Sequence, residues 1–215
     1  METRQTILSA LHGATKLRQA GQLPRPWMEP AQPPSGNALI EQFMITAVQN
    51  GMRVERAKEA ADIPGLIRKN HPHLLGMGEI CVAPALAGID WSAIGTVVPG
   101  ENNGAFAVGI NRAHAGVART GALVFFSNAA TPGTINFLSR CHIALVCESE
   151  IVNAMNDVWE TCVAPANAIH FISGPSSTGD IGGRLLKGIH GPLELICYIV
   201  EKRPLRYCPF HGLTD

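Results

Sequence analysis

The stretch LELICYIVE, residues 193–201, decides the fold class of this chain. Its centre is an unbroken apolar run, LICYIV, from Leu195 to Val200. A run this short, preceded by a Gly-Ile-His-Gly-Pro turn signal, predicts a strand that is buried on both faces. The run is far too short to span a bilayer, and no membrane span is predicted.

Further strands and helices are predicted upstream of this segment. Apolar, β-branched runs predict strands over 52–57, 79–84, 94–100, 105–111, 122–127, 141–148 and 169–174. Helices are predicted over 38–51, 57–71 (broken near Pro64), 112–120 and 150–162. Strands that are apolar on both faces and separated by helices favour a mostly parallel sheet flanked by helices, so the fold class is α/β.

The charge composition argues against nucleic acids and anionic membranes as partners. Lys+Arg and Asp+Glu each total 17, so the formal net charge is +0, and charged residues make up only 16% of the 215 residues. A neutral chain has no long-range field with which to attract a polyanion. The hydrophobic fraction of 46% is typical of a compact, well-buried domain.

The N-terminal part is predicted to lie apart from the α/β domain. Residues 1–38 comprise an amphipathic helix and an arm with five prolines between Leu23 and Ala38, and residues 39–215 form the α/β domain. Trp27 in the arm is expected to dock on the main body or on a second subunit, which allows a homodimer. The N-terminus lacks the apolar run of a secretory signal, so we expect a cytoplasmic protein.

The six cysteines are predicted to be reduced core residues. They stand at 81, 141, 147, 162, 197 and 208, mostly inside apolar segments, and no signal peptide precedes them. Cys208 and His211 have a spacing that could supply two metal ligands, but no second pair matches them. No metal site is therefore predicted.

The segment ISGPSSTGDIGGRLLKGIHGP, residues 172–192, is the candidate binding segment. It holds six glycines, two prolines and four hydroxyl side chains. We expect a turn over 174–181 at the carboxyl end of a buried strand, where open α/β sheets bind ligands. Gly174 and Gly179 would let the backbone approach a ligand. The same residue types are also ordinary turn formers, so a purely structural loop is the alternative.

SGPSSTGDI (173–181) followed by KGIHGP (187–192) resembles the paired signature of the LUD domain family, the lactate-utilisation protein C family. Residues 111–127, NRAHAGVARTGALVFFS, and 138–146, LSRCHIALV, are similar to the segments that precede it there. The resemblance covers approximately residues 40–202. It departs at Arg119 and Gly182, where the family usually has acids, and at Ser177, where it usually has a base.

The resemblance implies a fold similar to that of ribose-5-phosphate isomerase, glucosamine-6-phosphate deaminase and CoA transferases. It implies a bacterial accessory subunit in the oxidation of lactate to pyruvate, with a small anionic ligand bound at the sheet edge. Asp180 and His190 are the candidate catalytic residues. The candidate ligand-binding residues are Thr120, Gly121, Ser173, Gly174, Ser176, Ser177, Thr178 and Gly191.

A stand-alone isomerase or transferase acting on a sugar phosphate or an acyl-CoA is the alternative function. Asp180, His190 or Glu101 would then serve as acid, base or nucleophile. Glu101 stands in a Pro-Gly-Glu-Asn-Asn-Gly run that is also typical of any exposed turn. The basic residues near the candidate loops are Arg112, Arg119, Arg184 and Lys187.

No cofactor is predicted on this chain, and iron–sulfur clusters are expected on partner proteins. Oxidation of lactate removes two electrons, which protein side chains alone do not accept. The sequence contains no Cys-x-x-Cys run and no Gly-x-Gly-x-x-Gly turn. The resemblance implies iron–sulfur lactate-utilisation proteins as the partners that would accept the electrons.

Overall fold

The computed structural model describes residues 34–99, 106–161, 166–181, 184–188 and 191–202. The predicted N-terminal helix and nearly all of the proline-rich arm lie outside these residues. The described helices are α1 (Asn37–Gln49), α2 (Ile63–Asn70), α3 (Thr134–Leu138) and α4 (Val158–Thr161). The strands are β1 (Arg53–Ala57), β2 (Ile80–Val82), β3 (Val97–Pro99), β4 (Phe106–Arg112), β5 (Ala115–Val117), β6 (Ala122–Ser127), β7 (Ser139–Cys147), β8 (Ile151–Val152), β9 (Ala168–Ile172), β10 (Ser177–Ile181), β11 (Arg184–Lys187) and β12 (Glu194–Val200).

The main sheet has six strands in the order β1-β12-β7-β4-β2-β3, and every pairing in it is parallel. Its two long central strands, β7 and β12, are buried along almost their whole length. Strands buried on both faces need apolar residues at odd and even positions alike, which is what LICYIV supplies. The predicted α/β class with a parallel sheet is confirmed.

Successive residues of β7 contribute to separate cores on the two faces of the main sheet. Ile143 and Leu145 belong to a core that includes α2 residues such as Ile67. Ala144 and Val146 belong to a second core, which Phe43 of α1 joins. Because side chains alternate along a strand, one apolar run fills both cores.

A second sheet of four strands, in the order β8-β5-β6-β9, contributes to the core on the α1 side. The pairs β5–β6 and β6–β9 are antiparallel, and β5–β8 is parallel. Phe125 of β6 is fully buried against the main sheet. One face of the parallel sheet is thus covered in part by strands.

The predicted helix over 112–120 is wrong, because residues Ala115–Val117 form β5 in a hairpin with β6. Ala115 and Val117 face one core. Gly116 packs against the ring of Phe43, and a Cβ on Gly116 would lie only 3.0 Å from that ring. This two-sided burial requires the alternation of a strand.

The helix predicted over 150–162 is mostly absent. Ile151–Val152 form β8, Met155–Asp157 form a 3₁₀ turn, and only Val158–Thr161 are α-helical. The break predicted near Pro64 is instead the start of α2, where proline occupies the first turn. Proline is tolerated there because the amide it lacks would have no partner inside the helix. Among the described residues, no helix is long and apolar enough to cross a membrane.

Candidate functional site

The glycine-rich segment 172–192 forms a hairpin with a closed base. Its strands β10 and β11 pair antiparallel, so the open turn predicted over 174–181 is wrong for its second half. At the base, the amide of Ser176 donates to the carbonyl oxygen of Pro192, and the amide of Gly188 donates to the carbonyl oxygen of Ser176, each at 2.9 Å. The two halves of the sequence signature therefore lie side by side.

Three segments meet at the C-terminal end of α1. The side-chain amide of Asn50 donates to the carbonyl oxygen of Thr120 and to the Ser173 hydroxyl, each at 2.7 Å. The Ser173 hydroxyl in turn donates to the same carbonyl at 3.0 Å. We call Asn50, Thr120 and Ser173 the Asn50 triad. It links α1, the β5–β6 turn and the start of the glycine-rich hairpin.

The predicted glycines approach protein backbone at this place. A Cβ on Gly174 would lie 2.2 Å from the carbonyl oxygen of Asn50. A Cβ on Gly121 would lie 2.6 Å from the amide nitrogen of Ala47 in α1. Both glycines have positive φ, 93° and 62°. Their lack of a side chain lets the two turns close onto the end of α1.

The location of the site differs from the prediction. Strand β9, expected to be buried, lies at the edge of the second sheet, antiparallel to β6, and its first residues Ala168 and Ile169 are exposed. Asn50 precedes β1. Leu193 precedes β12, and its amide donates to the carbonyl oxygen of Arg140. The segments therefore meet at the amino ends of parallel strands, so the carboxyl-end argument for a ligand site does not apply to them.

The structure brings together six of the predicted site residues in two contact groups. Thr120, Ser173 and Gly174 contact Asn50, and Gly121 approaches Ala47 one turn earlier in α1. Ser176 lies 3.2 Å from where a Cβ of Gly191 would be. Ser177 is exposed. The backbones of Thr178 and Asp180 belong to β10, while their side chains, and His190 as a whole, lie outside what the structure describes. The binding and catalytic roles of all these residues stay predictions.

The two arginines nearest the site in the chain differ in whether an acid that the structure describes pairs with them. Arg112 forms an ion pair with Glu150, and both side chains are largely buried, at 14% and 15% exposure. Arg112 is therefore neutralised by a partner. Arg119 is exposed and directly precedes Thr120 in the chain. It is an exposed cation next in the chain to the Asn50 triad.

Two histidines in the core are held neutral. Burial lowers the pKa of His114 to about 4, with a smaller contribution from the Arg112 charge, and its Nδ1 accepts the amide of Phe126 at 3.2 Å. Burial alone lowers the pKa of His142 to about 3. His114 is thus a structural residue between β5 and β6.

The cysteines that the structure describes are free and buried, namely Cys81, Cys141, Cys147 and Cys197. Burial raises the pKa of the Cys81 thiol to about 11 and that of Cys141 and Cys147 to about 12. Thiols held protonated in this way are poor nucleophiles. They serve as core residues, while Cys162 and Cys208 lie outside the described residues.

Asn50 is the site residue that the sequence did not reveal, since it falls at the end of the helix predicted over 38–51 and carries no motif. We expect Asn50→Ala to destabilise the fold by about 1–2 kcal/mol, because two hydrogen bonds between distant segments are lost. Asn50→Asp should cost at least as much, since a carboxylate would face the Thr120 carbonyl oxygen. Urea unfolding measures both.

The matched control for Asn50 is Gln49→Ala, which removes the neighbouring exposed amide side chain. It should change the free energy of unfolding by less than about 0.5 kcal/mol. Equal losses in the two alanine variants would show that the triad does not hold the three segments together.

Comparison with known proteins relates this region to one family. The family model of the LUD domain matches residues 100–200, which include the Thr120–Gly121 turn and the glycine-rich hairpin. Over 104 residues the chain is 34% identical to Lactate utilization protein C of Geobacillus thermodenitrificans, a match that covers 45% of this chain and 43% of the relative. Over 131 residues it is 30% identical to Lactate utilization protein C of Bacillus subtilis, covering 53% and 55%.

A solved structure supports the fold over a longer part of the chain. A DUF162 family protein from Deinococcus radiodurans superposes with a TM-score of 0.56 at 20% sequence identity, covering 78% of this chain and 99% of that one. At this identity the likeness shows the fold alone. The sequence matches, by contrast, span about half the length of the curated relatives.

Proposed function

From the match of residues 100–200 to the LUD domain family model, we propose that this protein takes part in lactate utilisation. It would act as an accessory subunit in the oxidation of lactate to pyruvate, beside partner proteins that carry iron–sulfur clusters. The observation that carries the proposal is the match to relatives named Lactate utilization protein C. The LUD domain model matches residues 100–200, which contain the hairpin and its supporting turn.

The accessory role follows from what the oxidation requires. Converting lactate to pyruvate releases two electrons and two protons, and the electrons need a cofactor as acceptor. An iron–sulfur cluster is bound by clustered cysteine thiolates. Cys141 and Cys147, the nearest pair in the sequence, are both buried with raised pKa values. We therefore assign the electron acceptor to the partners.

The surface around the Asn50 triad is the place we propose for a small anionic ligand. Ser173 is exposed there, Ser177 is exposed at the start of β10, and Arg119 adds a positive charge beside Thr120. The carbonyl oxygen of Thr120 is already engaged by two donors, which keeps the turn in one position. A hydroxy-acid carboxylate would pair with Arg119, and its hydroxyl would hydrogen-bond to serine.

The alternative of a sugar-phosphate or acyl-CoA enzyme has less support. Arg112, one of the four basic residues considered for phosphate binding, is paired with Glu150 inside the protein. Glu101, the candidate nucleophile, lies outside the described residues. The accessory role is therefore the better supported function.

Reconstitution with partners tests this proposal. We expect the purified chain to be colourless and unable to reduce an artificial electron acceptor with lactate. Adding candidate iron–sulfur proteins of lactate utilisation, under anaerobic conditions, should produce lactate-dependent reduction of the acceptor. Omitting this chain from the mixture should lower the rate at least about tenfold, which corresponds to about 1.4 kcal/mol.

The same assay tests the predicted role of Asp180. Asp180→Asn should abolish the gain in rate, whereas Asp90→Asn, which changes an exposed acid in another loop, should keep it. Lactate oxidation by this chain alone, or an equal rate with and without it, would overturn the accessory role. Turnover of ribose 5-phosphate or an acyl-CoA by the chain alone would support the alternative.

A further inference from the structure

A second group of polar side chains lies on the α2 side of the main sheet. His71 follows α2, His73 lies in the 3₁₀ turn Pro72–Leu74, and Glu194 begins β12. One ligand atom from each of the three lies within 4.8 Å of the other two. Nε2 of His73 is 3.3 Å from Oε2 of Glu194. We call these residues the His71 cluster.

His71 is held as a metal-ligating histidine usually is. Its Nε2 lies 2.6 Å from Oε1 of Glu55, and the other oxygen of Glu55 accepts the side-chain amide of Asn70 at 2.8 Å. A carboxylate that accepts one ring N–H leaves the lone pair of the opposite nitrogen free. That nitrogen, Nδ1, is buried and has no hydrogen-bond partner among the described residues.

We propose that the His71 cluster binds a divalent transition metal ion of the zinc type. Two imidazole nitrogens and one carboxylate oxygen are a donor set that zinc uses when its fourth position is left to water or substrate. His71 is 3% exposed, Glu194 23% and His73 49%, so the cluster runs from the protein interior to solvent. The ion can therefore enter from solvent, and its open position faces the same way.

Arg53 limits how Glu194 can bind the ion. Its guanidinium lies 3.1 Å from Oε1 of Glu194, whereas His73 lies near the other oxygen, Oε2. Glu194 would thus ligate through Oε2 alone, with Oε1 paired to Arg53. Without a metal, the same residues form a plain network of His–Glu and Arg–Glu contacts, and this is the competing explanation.

The proposal departs from the sequence-based expectation of no metal site, which considered only Cys208 and His211. Within the sequence, the signal was His71-Pro72-His73, a pair of histidines one residue apart. Nothing in the sequence indicates that Glu194, more than 100 positions later, lies beside them. The parallel pairing of β12 with β1 and β7 brings it there.

A cobalt titration of the untagged full-length chain tests the site, since Co²⁺ substitutes for zinc and is visible. We expect one Co²⁺ per chain to produce visible absorption bands that Zn²⁺ displaces. His73→Ala and Glu194→Gln should each weaken Co²⁺ binding by at least about tenfold. Glu55→Gln, which alters the positioning residue behind His71, should weaken it by about tenfold as well.

The control His170→Ala removes a histidine from β9, in the second sheet, and should leave Co²⁺ binding unchanged. The double variant Cys208→Ser with His211→Ala should likewise have no effect, and no cobalt–thiolate charge-transfer band should appear. His73 is half exposed, so its replacement is expected to fold, and circular dichroism checks this. No binding by the parent chain, or equal binding by His73→Ala, would overturn the proposal. Neither outcome bears on the lactate assay, because the two sites share no residue.

Discussion

Gly121→Ala is expected to destabilise the protein by about 3 kcal/mol, whereas Gly36→Ala is expected to cost about 1 kcal/mol. The two glycines have similar positive φ angles, 62° for Gly121 and 57° for Gly36. A Cβ on Gly121 would lie 2.6–2.8 Å from backbone atoms of Thr46 and Ala47, which cannot move without distorting α1. At Gly36 a Cβ meets no described residue within 4 Å.

Urea unfolding of the two variants and the parent measures the difference. Both variants carry the strain of a positive φ, so we expect the extra loss in Gly121→Ala to come mainly from the overlap with α1. The slope of the free energy against urea should stay unchanged. Equal losses in the two variants would mean that the β5–β6 turn can move away from α1. The close packing around the Asn50 triad would then be unnecessary for stability.

Acidification below pH 6.5 is expected to destabilise the protein steeply, and His142 is the main cause we identify. The imidazole lies in the core beside the Phe125 ring, 5.2 Å between centroids, and neither ring nitrogen has a described hydrogen-bond partner. Burial lowers its pKa from 6.5 to about 3. Between these two values the unfolded chain binds a proton that the folded chain excludes.

Because the unfolded state binds more protons in this window, stability falls as the pH falls. The loss approaches about 1.4 kcal/mol per pH unit for one group, or about 3 kcal/mol at pH 4.5. His114, with its pKa lowered to about 4, contributes over much of the same range. Below about pH 3 the contribution of His142 no longer changes, since both states are protonated.

His142→Leu separates this contribution from the rest. Replacing a buried imidazole that lacks partners by an apolar side chain of similar size should be neutral or stabilising at pH 7.5. The variant should lose less stability than the parent between pH 6.5 and 4.5, by about 2–3 kcal/mol. His170→Leu on β9 is the control, and its profile should follow that of the parent. A parent-like slope in His142→Leu would refute the assignment.

Local sequence pattern was sufficient where the apolar runs were long. The strands predicted over 141–148 and 193–201 correspond to β7 and β12, because an unbroken apolar, β-branched run can only be buried on both faces of a sheet. The same pattern predicted the parallel class of the main sheet. The LUD resemblance was likewise recognisable from short motifs at 173–192.

Pattern was insufficient where short segments of small residues depend on what packs against them. Ala115–Val117 has little preference for strand over helix, and its pairing with β6 and the closeness of Phe43 to Gly116 decided between them. The environment of Gly174 was likewise decided by what packs against it. Its composition suggested contact with a ligand, but the segment it approaches, the end of α1, lies more than 120 positions earlier.

The sequence by itself therefore determined the α/β class, the central strands and the similarity of residues 100–200 to the LUD domain family, since these depend on local burial patterns and short motifs. Tertiary structure alone decided which residues meet. Asn50 joins Thr120 and Ser173, and Glu194 joins His71 and His73, only after strand pairing brings distant segments together. The physical reason is that hydrogen bonds and metal ligands act over a few ångströms in space, whereas sequence patterns report only neighbours along the chain.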